Sequence, residues 1–178
     1  MSLKDPNRLL RELLDALEES KATYMITGAL LMKFYGDPRA TGDIDLIIEA
    51  QKTDINALSQ SLKRHGFVFP SLGSGHNTML HKDSSKWIDL TIRKVIGEEI
   101  AQIKIMGKDV CVSTPENLIL KKLEWMGEEY AGSDAGDVIS IFVRMGNRLK
   151  IEYVFEESRK RGLLERLQDL LRKYELGL

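Results

Sequence analysis

Hydrophobic and polar residues alternate along the run KWIDLTIRK, and a period of two is typical of a strand with one buried face. Isoleucine and leucine side chains share one face of this predicted strand. The other face carries Trp87, Asp89, Thr91 and Arg93, of which Asp89 is the only acid. The pattern therefore predicts a half-buried strand that presents one carboxylate on its polar face.

Shorter apolar runs, each bounded by glycine or polar turn residues, predict the remaining strands. These strands cover residues 24–27, 43–48, 67–69 and 78–81, followed by a hairpin over residues 100–114 that turns at Gly107 and Lys108. Together with the run KWIDLTIRK, they are enough to build one sheet.

Other segments repeat their apolar residues every three or four positions, which is the spacing of an amphipathic helix. Asp5 and Pro6 supply a cap and a first-turn proline for the first helix, and Thr114 and Pro115 do the same after the hairpin. The predicted helices cover residues 5–19, 53–64, 114–126, 134–145, 151–160 and 163–174.

Strands alternate with helices in the earlier part of the chain, and helices alone follow. This order predicts an α+β fold, in which a mixed β-sheet is covered by helices and a C-terminal helical tail follows. We expect residues 1–112 to form the core with its N-terminal covering helix. Residues 113–178 are expected to form a helical region packed on that core.

Composition narrows the class of protein only a little. The formal charge of −1, with 30% charged residues, gives no global basic field, so a polynucleotide substrate is permitted but not indicated. Cys111 is the single cysteine, which excludes an intramolecular disulfide and a cysteine-based zinc site. No apolar stretch approaches the ~18 residues of a membrane span, so we expect no membrane partner and a cytoplasmic location.

Two carboxylates lie close together at the start of the run DIDLII. Asp43 and Asp45 are separated by one residue, so in a strand both point to the same face. Holding two like charges there costs free energy unless a cation lies between them or one carboxylate is protonated. A divalent metal is the simpler answer, although Asp-x-Asp pairs at strand starts are also found merely solvated or capping a neighbouring element.

A glycine connects the apolar strand YMIT to a helical segment. Gly28 opens this segment, which continues through Ala29 and ends at Gly36. A strand that enters a helix through glycine presents free backbone N–H groups and the positive end of the helix dipole, and such a place binds phosphate.

Read together, the segment GALLMKFYGDPRATGDIDL and a third acid on a later strand resemble the nucleotidyltransferase superfamily with the DNA polymerase beta-like fold. The chain looks most similar to the minimal proteins related to the AbiEii toxins, over about residues 24–143. The resemblance implies transfer of a nucleoside monophosphate from a nucleoside triphosphate to an acceptor, which could be RNA, protein or a small molecule. It also implies a toxin-antitoxin setting with an antitoxin-type protein partner.

The same resemblance assigns roles to individual residues. Asp43, Asp45 and Asp89 would be catalytic and would hold Mg²⁺ or Mn²⁺, since three carboxylates form the oxygen-rich site these ions select. Nucleotide binding would fall to Gly28, Ala29, Arg39 and Lys121, which would hold the β- and γ-phosphates. Asp137 would also belong to the nucleotide site, as the better-aligned acid of SDAGDVISI, which resembles a Lys/Arg-Asp-x-x-Asp segment of the family. Ala29 departs from the serine or second glycine usual in the family, and Ser133 stands where a basic residue is usual.

Several of these residues have simpler alternatives. Arg39 could form a salt bridge with Asp43 or Asp37 instead of clamping a phosphate. Lys121 could be a solvated helix lysine, and Lys122 is its rival for the phosphate role.

Two alternatives concern function. The chain could be a member of the same fold that has lost activity and acts as a nucleotide-binding or protein-interaction module. A zinc site built on the histidines at positions 76 and 81 is disfavoured, because their spacing places them on opposite faces of a strand.

Overall fold

A computed structural model describes residues 7–84, 86–94, 99–126 and 132–176 of the chain. The strands in these residues are β1 Tyr24–Thr27, β2 Asp43–Glu49, β3 Phe67–Val68, β4 Gly75–His81, β5 Trp87–Arg93, β6 Ile100–Ile105 and β7 Lys108–Ser113. The helices are α1 Arg8–Glu19, α2 Met32–Tyr35, α3 Ile55–Arg64, α4 Pro115–Trp125, α5 Ser133–Met145, α6 Ile151–Lys160 and α7 Leu164–Lys173. Short 3₁₀ helices cover Gly28–Leu31 and Gly146–Arg148.

The strands of the described residues form one seven-stranded sheet in the order β3-β4-β5-β2-β1-β7-β6. Strand β2 pairs parallel with β5 and antiparallel with β1, and β1 pairs parallel with β7. The sheet is therefore mixed, and two of its pairings, β2 with β5 and β1 with β7, join strands that are far apart in sequence. This architecture confirms the predicted α+β class with a mixed sheet.

The alternation predicted for β5 is confirmed, because Ile88, Leu90 and Ile92 are buried while the residues between them remain accessible. Strand β4 begins at Gly75 rather than at the predicted Thr78. The extra residues pair antiparallel with β5, and this long-range pairing is invisible in the local apolar pattern.

The predicted hairpin turns one residue earlier than expected. Its turn is formed by Met106 and Gly107, whose φ angles are 52° and 80°, instead of by Gly107 and Lys108. Two consecutive positive φ angles give the twist that matches a two-residue hairpin connection.

Helix bounds lie within a few residues of those predicted. Thr114 caps α4 and accepts a hydrogen bond from the Asn117 backbone N–H, and Pro115 is the first residue of the helix, as expected. Asp54 caps α3, so that helix starts after Thr53. The cap expected at Asp5 and Pro6 lies outside the described residues.

The chain divides into two compact units, here called the core unit and the helical unit. The core unit consists of the residues up to Ala29 together with Thr41–Val112. The helical unit consists of Leu30–Ala40 together with the residues from Ser113 onward. The expected division into residues 1–112 and 113–178 differs from this one in placing residues 30–40 with the core.

Within the core unit, α1 packs against α3. The buried Ser61 hydroxyl donates to the Ala16 carbonyl and to the Glu19 carboxylate. Within the helical unit, α4 packs against α5 and α6. None of the helices in the described residues combines the length and the apolar character needed to cross a membrane.

Candidate active site

Strand pairing brings the predicted carboxylates together on one face of the core unit's sheet. In the parallel pairing of β2 with β5, Asp45 lies opposite Asp89 and Asp43 lies opposite Trp87. Residues directly opposite each other in neighbouring strands point to the same face, and Asp43 shares that face with Asp45 through the period of two. All three carboxylates are partly accessible.

Neutral donors orient two of the three carboxylates. The Thr41 hydroxyl donates to Asp43 Oδ1 at 2.5 Å. Asp89 accepts two hydrogen bonds, from the Thr78 hydroxyl to Oδ1 and from the Trp87 indole N–H to Oδ2, both at 3.2 Å. These hydrogen bonds fix the direction of the Asp43 and Asp89 carboxylates.

The donor chemistry of this face fits a hard divalent cation, since Mg²⁺ and Mn²⁺ prefer carboxylate oxygens. The side chains are not closed around such an ion, however. Across the described ranges, no group of three or more His, Cys, Asp or Glu side chains is placed to hold a metal. Metal binding would therefore require the three carboxylates to move closer together around the ion.

Gly28 lies directly against the Asp45 carboxylate. A Cβ atom at this position would stand 1.7 Å from Asp45 Oδ2, and the φ angle of Gly28 is +74°. Both the contact and the backbone conformation thus require glycine. The expected continuous helix is instead the 3₁₀ helix Gly28–Leu31 followed by the single turn of α2. A dipole summed over so few peptides is small, so the N–H groups are the stronger argument for phosphate binding here.

The other predicted nucleotide-binding residues, Arg39, Lys121 and Asp137, belong to the helical unit. Arg39 and Asp137 take part in a network of ion pairs there. Arg39 contacts Asp137 through two nitrogens, with Nε 3.1 Å from Oδ1 and Nη2 3.0 Å from Oδ2. Lys122 Nζ lies 2.6 Å from Asp137 Oδ2 and 2.9 Å from Asp134 Oδ1. Lys122 and Asp137 are buried, and each is only 7% accessible at its side chain.

One of the two adjacent lysines of α4 forms the ion pair with Asp137 in this network. It is Lys122, whereas Lys121 is only half-buried. The spacing of α4 carries a signal that could have identified Lys122, because position 122 lies four residues after the buried Leu118 and three after the buried Ile119.

Helix α5 also secures the segment that precedes β2. The Asp37 backbone N–H donates to the Ser140 hydroxyl of α5, and Arg144 of α5 donates to the Gly36 carbonyl. With the Arg39–Asp137 pair, α5 thus holds residues 36–39 at three points.

Trp87 and Thr78 are site residues that the sequence did not reveal, because their role depends on which strands are neighbours. His76 and His81 lie on opposite faces of β4, as expected. His81 is buried and hydrogen-bonds the His65 carbonyl, whereas His76 Nε2 lies 3.6 Å from Asp89 Oδ1.

The sequence matches no protein-family model and no curated protein. Several solved structures are similar to the chain. The crystal structure of ANT(2″)-Ia in complex with adenylyl-2″-tobramycin superposes with a TM-score of 0.64 at 15% identity, covering 86% of this chain and 96% of that one. An antigenic nucleotidyltransferase-like protein from Paracoccidioides brasiliensis has a TM-score of 0.59 at 20% identity, covering 95% and 93%.

A third similar structure is the lincosamide antibiotic adenylyltransferase LnuA with lincomycin bound, with a TM-score of 0.56 at 14% identity, covering 76% of this chain and 95% of that one. At such identities the likeness concerns the fold. The chain therefore has the fold of nucleotidyltransferases.

Proposed function

We propose that this protein is a metal-dependent nucleotidyltransferase, which moves a nucleoside monophosphate from a nucleoside triphosphate to an acceptor hydroxyl. The observation that carries the proposal is the placement of Asp45 opposite Asp89 on neighbouring parallel strands, with Gly28 against the Asp45 carboxylate. The fold shared with the lincosamide antibiotic adenylyltransferase LnuA supports it.

In this proposal Asp43, Asp45 and Asp89 would hold Mg²⁺ or Mn²⁺. When bound, the ion would polarise the α-phosphate and neutralise charge on the pyrophosphate leaving group. The backbone N–H groups of Gly28 and Ala29 would bind phosphate oxygens, because they begin a helical segment beside Asp45. The hydroxyl of Thr41 would keep Asp43 directed while the nucleotide is absent.

Arg39 and Lys121 are proposed phosphate ligands, and Asp137 is proposed to control Arg39. Because Asp137 already binds Arg39 through two nitrogens, a triphosphate would have to compete with that carboxylate for the guanidinium. Lys122 takes part in the same competition, since it shares Asp137. The Asp137 carboxylate would then keep both cations in place between catalytic cycles.

The AbiEii-like resemblance would add a toxin role, an RNA or protein acceptor and an antitoxin-type partner. Two observations favour a second candidate function, that of a nucleotide-binding or interaction module without activity. The described side chains are not placed to hold a metal, and Ala29 lacks a hydroxyl. The two functions differ in whether a nucleoside monophosphate is transferred to an acceptor.

The test is incubation with each labelled nucleoside triphosphate, Mg²⁺ and total cellular RNA or protein, followed by a search for transferred label. Wild type should transfer label and Asp45→Asn should not. Asp109→Asn is the matched control, because Asp109 lies on β7 and pairs with Lys104 at an exposed position. Nucleotide binding without transfer to any acceptor would favour the inactive module.

A second test uses the sign of a stability change. In EDTA, Asp45→Asn should stabilise the fold by about 1 kcal/mol, because it relieves repulsion among the three carboxylates. With saturating Mg²⁺ the order should reverse, because the wild type gains binding free energy. Thermal unfolding of both proteins under both conditions measures this. A wild type more stable than the mutant in EDTA would count against the metal site.

A further inference from the structure

Three large apolar side chains form an exposed row across the core unit's sheet. In the antiparallel pairings, Trp87 of β5 lies opposite Leu80 of β4, and Leu80 lies opposite Val68 of β3. Their exposed fractions are 39%, 54% and 59%, respectively. Because opposite residues share a face, the three side chains project together, and we call this row the apolar shelf.

The apolar shelf continues directly from the carboxylates. Trp87 lies opposite Asp43 in the parallel pairing, so the row reads Asp43, Trp87, Leu80, Val68 across four adjacent strands. The next row on the same face contains Asp45, Asp89 and Thr78. The apolar shelf thus begins where the reacting groups of the proposed function end.

The Trp87 ring is held in place rather than free to rotate. Its indole N–H donates to Asp89 Oδ2 at 3.2 Å. A Cβ atom added to Gly42 would lie 3.4 Å from ring atom Cη2, so the ring rests close to the backbone there. A fixed, accessible aromatic face loses little conformational entropy when a ligand packs on it.

The order of the strands assigns the apolar shelf to the acceptor. Gly28 follows β1 and lies against Asp45, whereas β5 and β4 extend from β2 in the opposite direction. If the triphosphate binds at Gly28, the side of Asp89 is left for the acceptor hydroxyl. The apolar shelf is on that side.

We propose that the apolar shelf binds the acceptor, a small molecule with a flat apolar body and a hydroxyl at one end, and this rests on the proposed function. Three strands spaced by about 4.8 Å give a surface of about 10 Å, which suits two fused rings. A nucleic-acid acceptor fits less well. Bases stack on aromatic faces between basic groups, whereas two of the three residues here are aliphatic and carboxylates border the row.

The probe is 2-naphthol, observed through the two tryptophan indole N–H signals in ¹H–¹⁵N spectra. Titration should shift the Trp87 signal, which is identified by its loss in Trp87→Phe. The signal of Trp125, an exposed residue of α4, should remain in place and reports on non-specific binding. Leu80→Asn should weaken binding about three- to tenfold, because part of the apolar contact is lost.

Ile100→Asn is the matched control, because Ile100 is an exposed apolar residue on β6 at the opposite edge of the sheet. It should leave the affinity for 2-naphthol unchanged. Equal shifts of both tryptophan signals, or none, would overturn the proposal. So would an oligoadenylate that shifts Trp87 at lower concentration than 2-naphthol, or a wild-type dimer that Leu80→Asn converts to monomer.

The nucleotide is tested separately. If the protein binds ATP with Mg²⁺ but not 2-naphthol, the proposal that the apolar shelf binds the acceptor is overturned and the proposed function is retained. If 2-naphthol binds at Trp87 but the protein binds no nucleotide, the proposed function is overturned.

Discussion

At position 28 the Asp45 carboxylate leaves room for a hydrogen atom and nothing larger. The positive φ of Gly28 adds a second restriction, because side chains rarely adopt that conformation. Both restrictions act at the junction between β1 and the proposed phosphate site. A single methyl group therefore probes the packing of the site without altering any of its charges.

Gly28→Ala should destabilise the protein more than Gly75→Ala. Gly75 also has a positive φ, +92°, but nothing lies within 4 Å of an added Cβ, so its replacement measures backbone strain alone. Strain of this kind costs about 1–2 kcal/mol, and Gly28→Ala should exceed it through the displaced carboxylate. Urea unfolding of both variants measures the difference. Equal losses of stability would show that Asp45 moves aside freely.

Tyr35 of α2 is buried, and its hydroxyl finds no hydrogen-bond partner in the part of the chain that is described. Burial, and secondarily the charge of Glu116, raise the pKa of Tyr35 from 10.0 to about 12. The neutral hydroxyl is therefore retained in the folded state at a pH where the unfolded chain ionises.

Tyr35→Phe should consequently change how stability depends on pH. At neutral pH it should stabilise the helical unit by about 1 kcal/mol, because an unpaired buried hydroxyl is removed. Wild type should then lose more stability than the mutant between pH 10 and about 12, where the unfolded Tyr35 ionises first. Denaturant unfolding across this range, taken as the difference between the two proteins, isolates the effect. Parallel pH profiles would contradict it.

At the scale of elements, α4 and α5 are joined by charge as well as by apolar packing. Lys122 of α4 is buried against Asp134 and Asp137 of α5, and Arg39 completes the network. Removing one member of a buried ion pair leaves its partner charged and unsatisfied, which is costlier than losing a surface pair.

Lys122→Met should therefore destabilise the protein by about 3–5 kcal/mol. Lys121→Met is the matched control on the same helix, and it should cost far less because Lys121 is only half-buried. Chemical unfolding of the two variants provides the comparison. Similar losses for both would mean that the network does not hold α4 to α5.

Local patterns predicted the elements well because each depends on neighbouring residues. The alternation of β5 and the cap at Thr114 are both visible in a few adjacent positions. Arg39 is different, because its partner Asp137 is 98 residues away and no local pattern links them. Lys121 and Lys122 were both open alternatives, although the spacing of the apolar residues of α4 already favours burial of position 122.

At the scale of the whole molecule, local patterns predicted a mixed sheet, whereas the expectation that Asp89 lies beside Asp43 and Asp45 came from the family resemblance. Strands β2 and β5 are separated in the sequence by α3, β3 and β4, and their pairing places Asp45 beside Asp89. The apolar shelf depends on two further pairings of the same kind. The sequence around Leu80 therefore does not show that it belongs to an apolar surface, because that surface forms only when β3, β4 and β5 pair.

Nucleotide binding should stabilise the whole chain if the proposed function holds. A ligand at one hundred times its dissociation constant adds about 2.7 kcal/mol to the free energy of unfolding. For a chain of this length, that corresponds to a rise of about 5–10 °C in the melting temperature. Calorimetry with ATP and Mg²⁺, with ATP and EDTA as control, tests this. No metal-dependent shift at millimolar nucleotide would exclude the enzyme, and no shift under either condition would exclude the nucleotide-binding module as well.

A single recombination point cannot separate the two units of this chain, because the polypeptide passes between them three times. The polypeptide passes from one unit to the other after Ala29, after Ala40 and after Val112. A recombination event at the last of these points would exchange the tail while leaving Arg39 and the buried Leu31 and Met32 with the old core. The hybrid would inherit an arginine selected for an absent Asp137. Acquiring a new tail by gene fusion thus requires matching changes in an eleven-residue insert located far upstream.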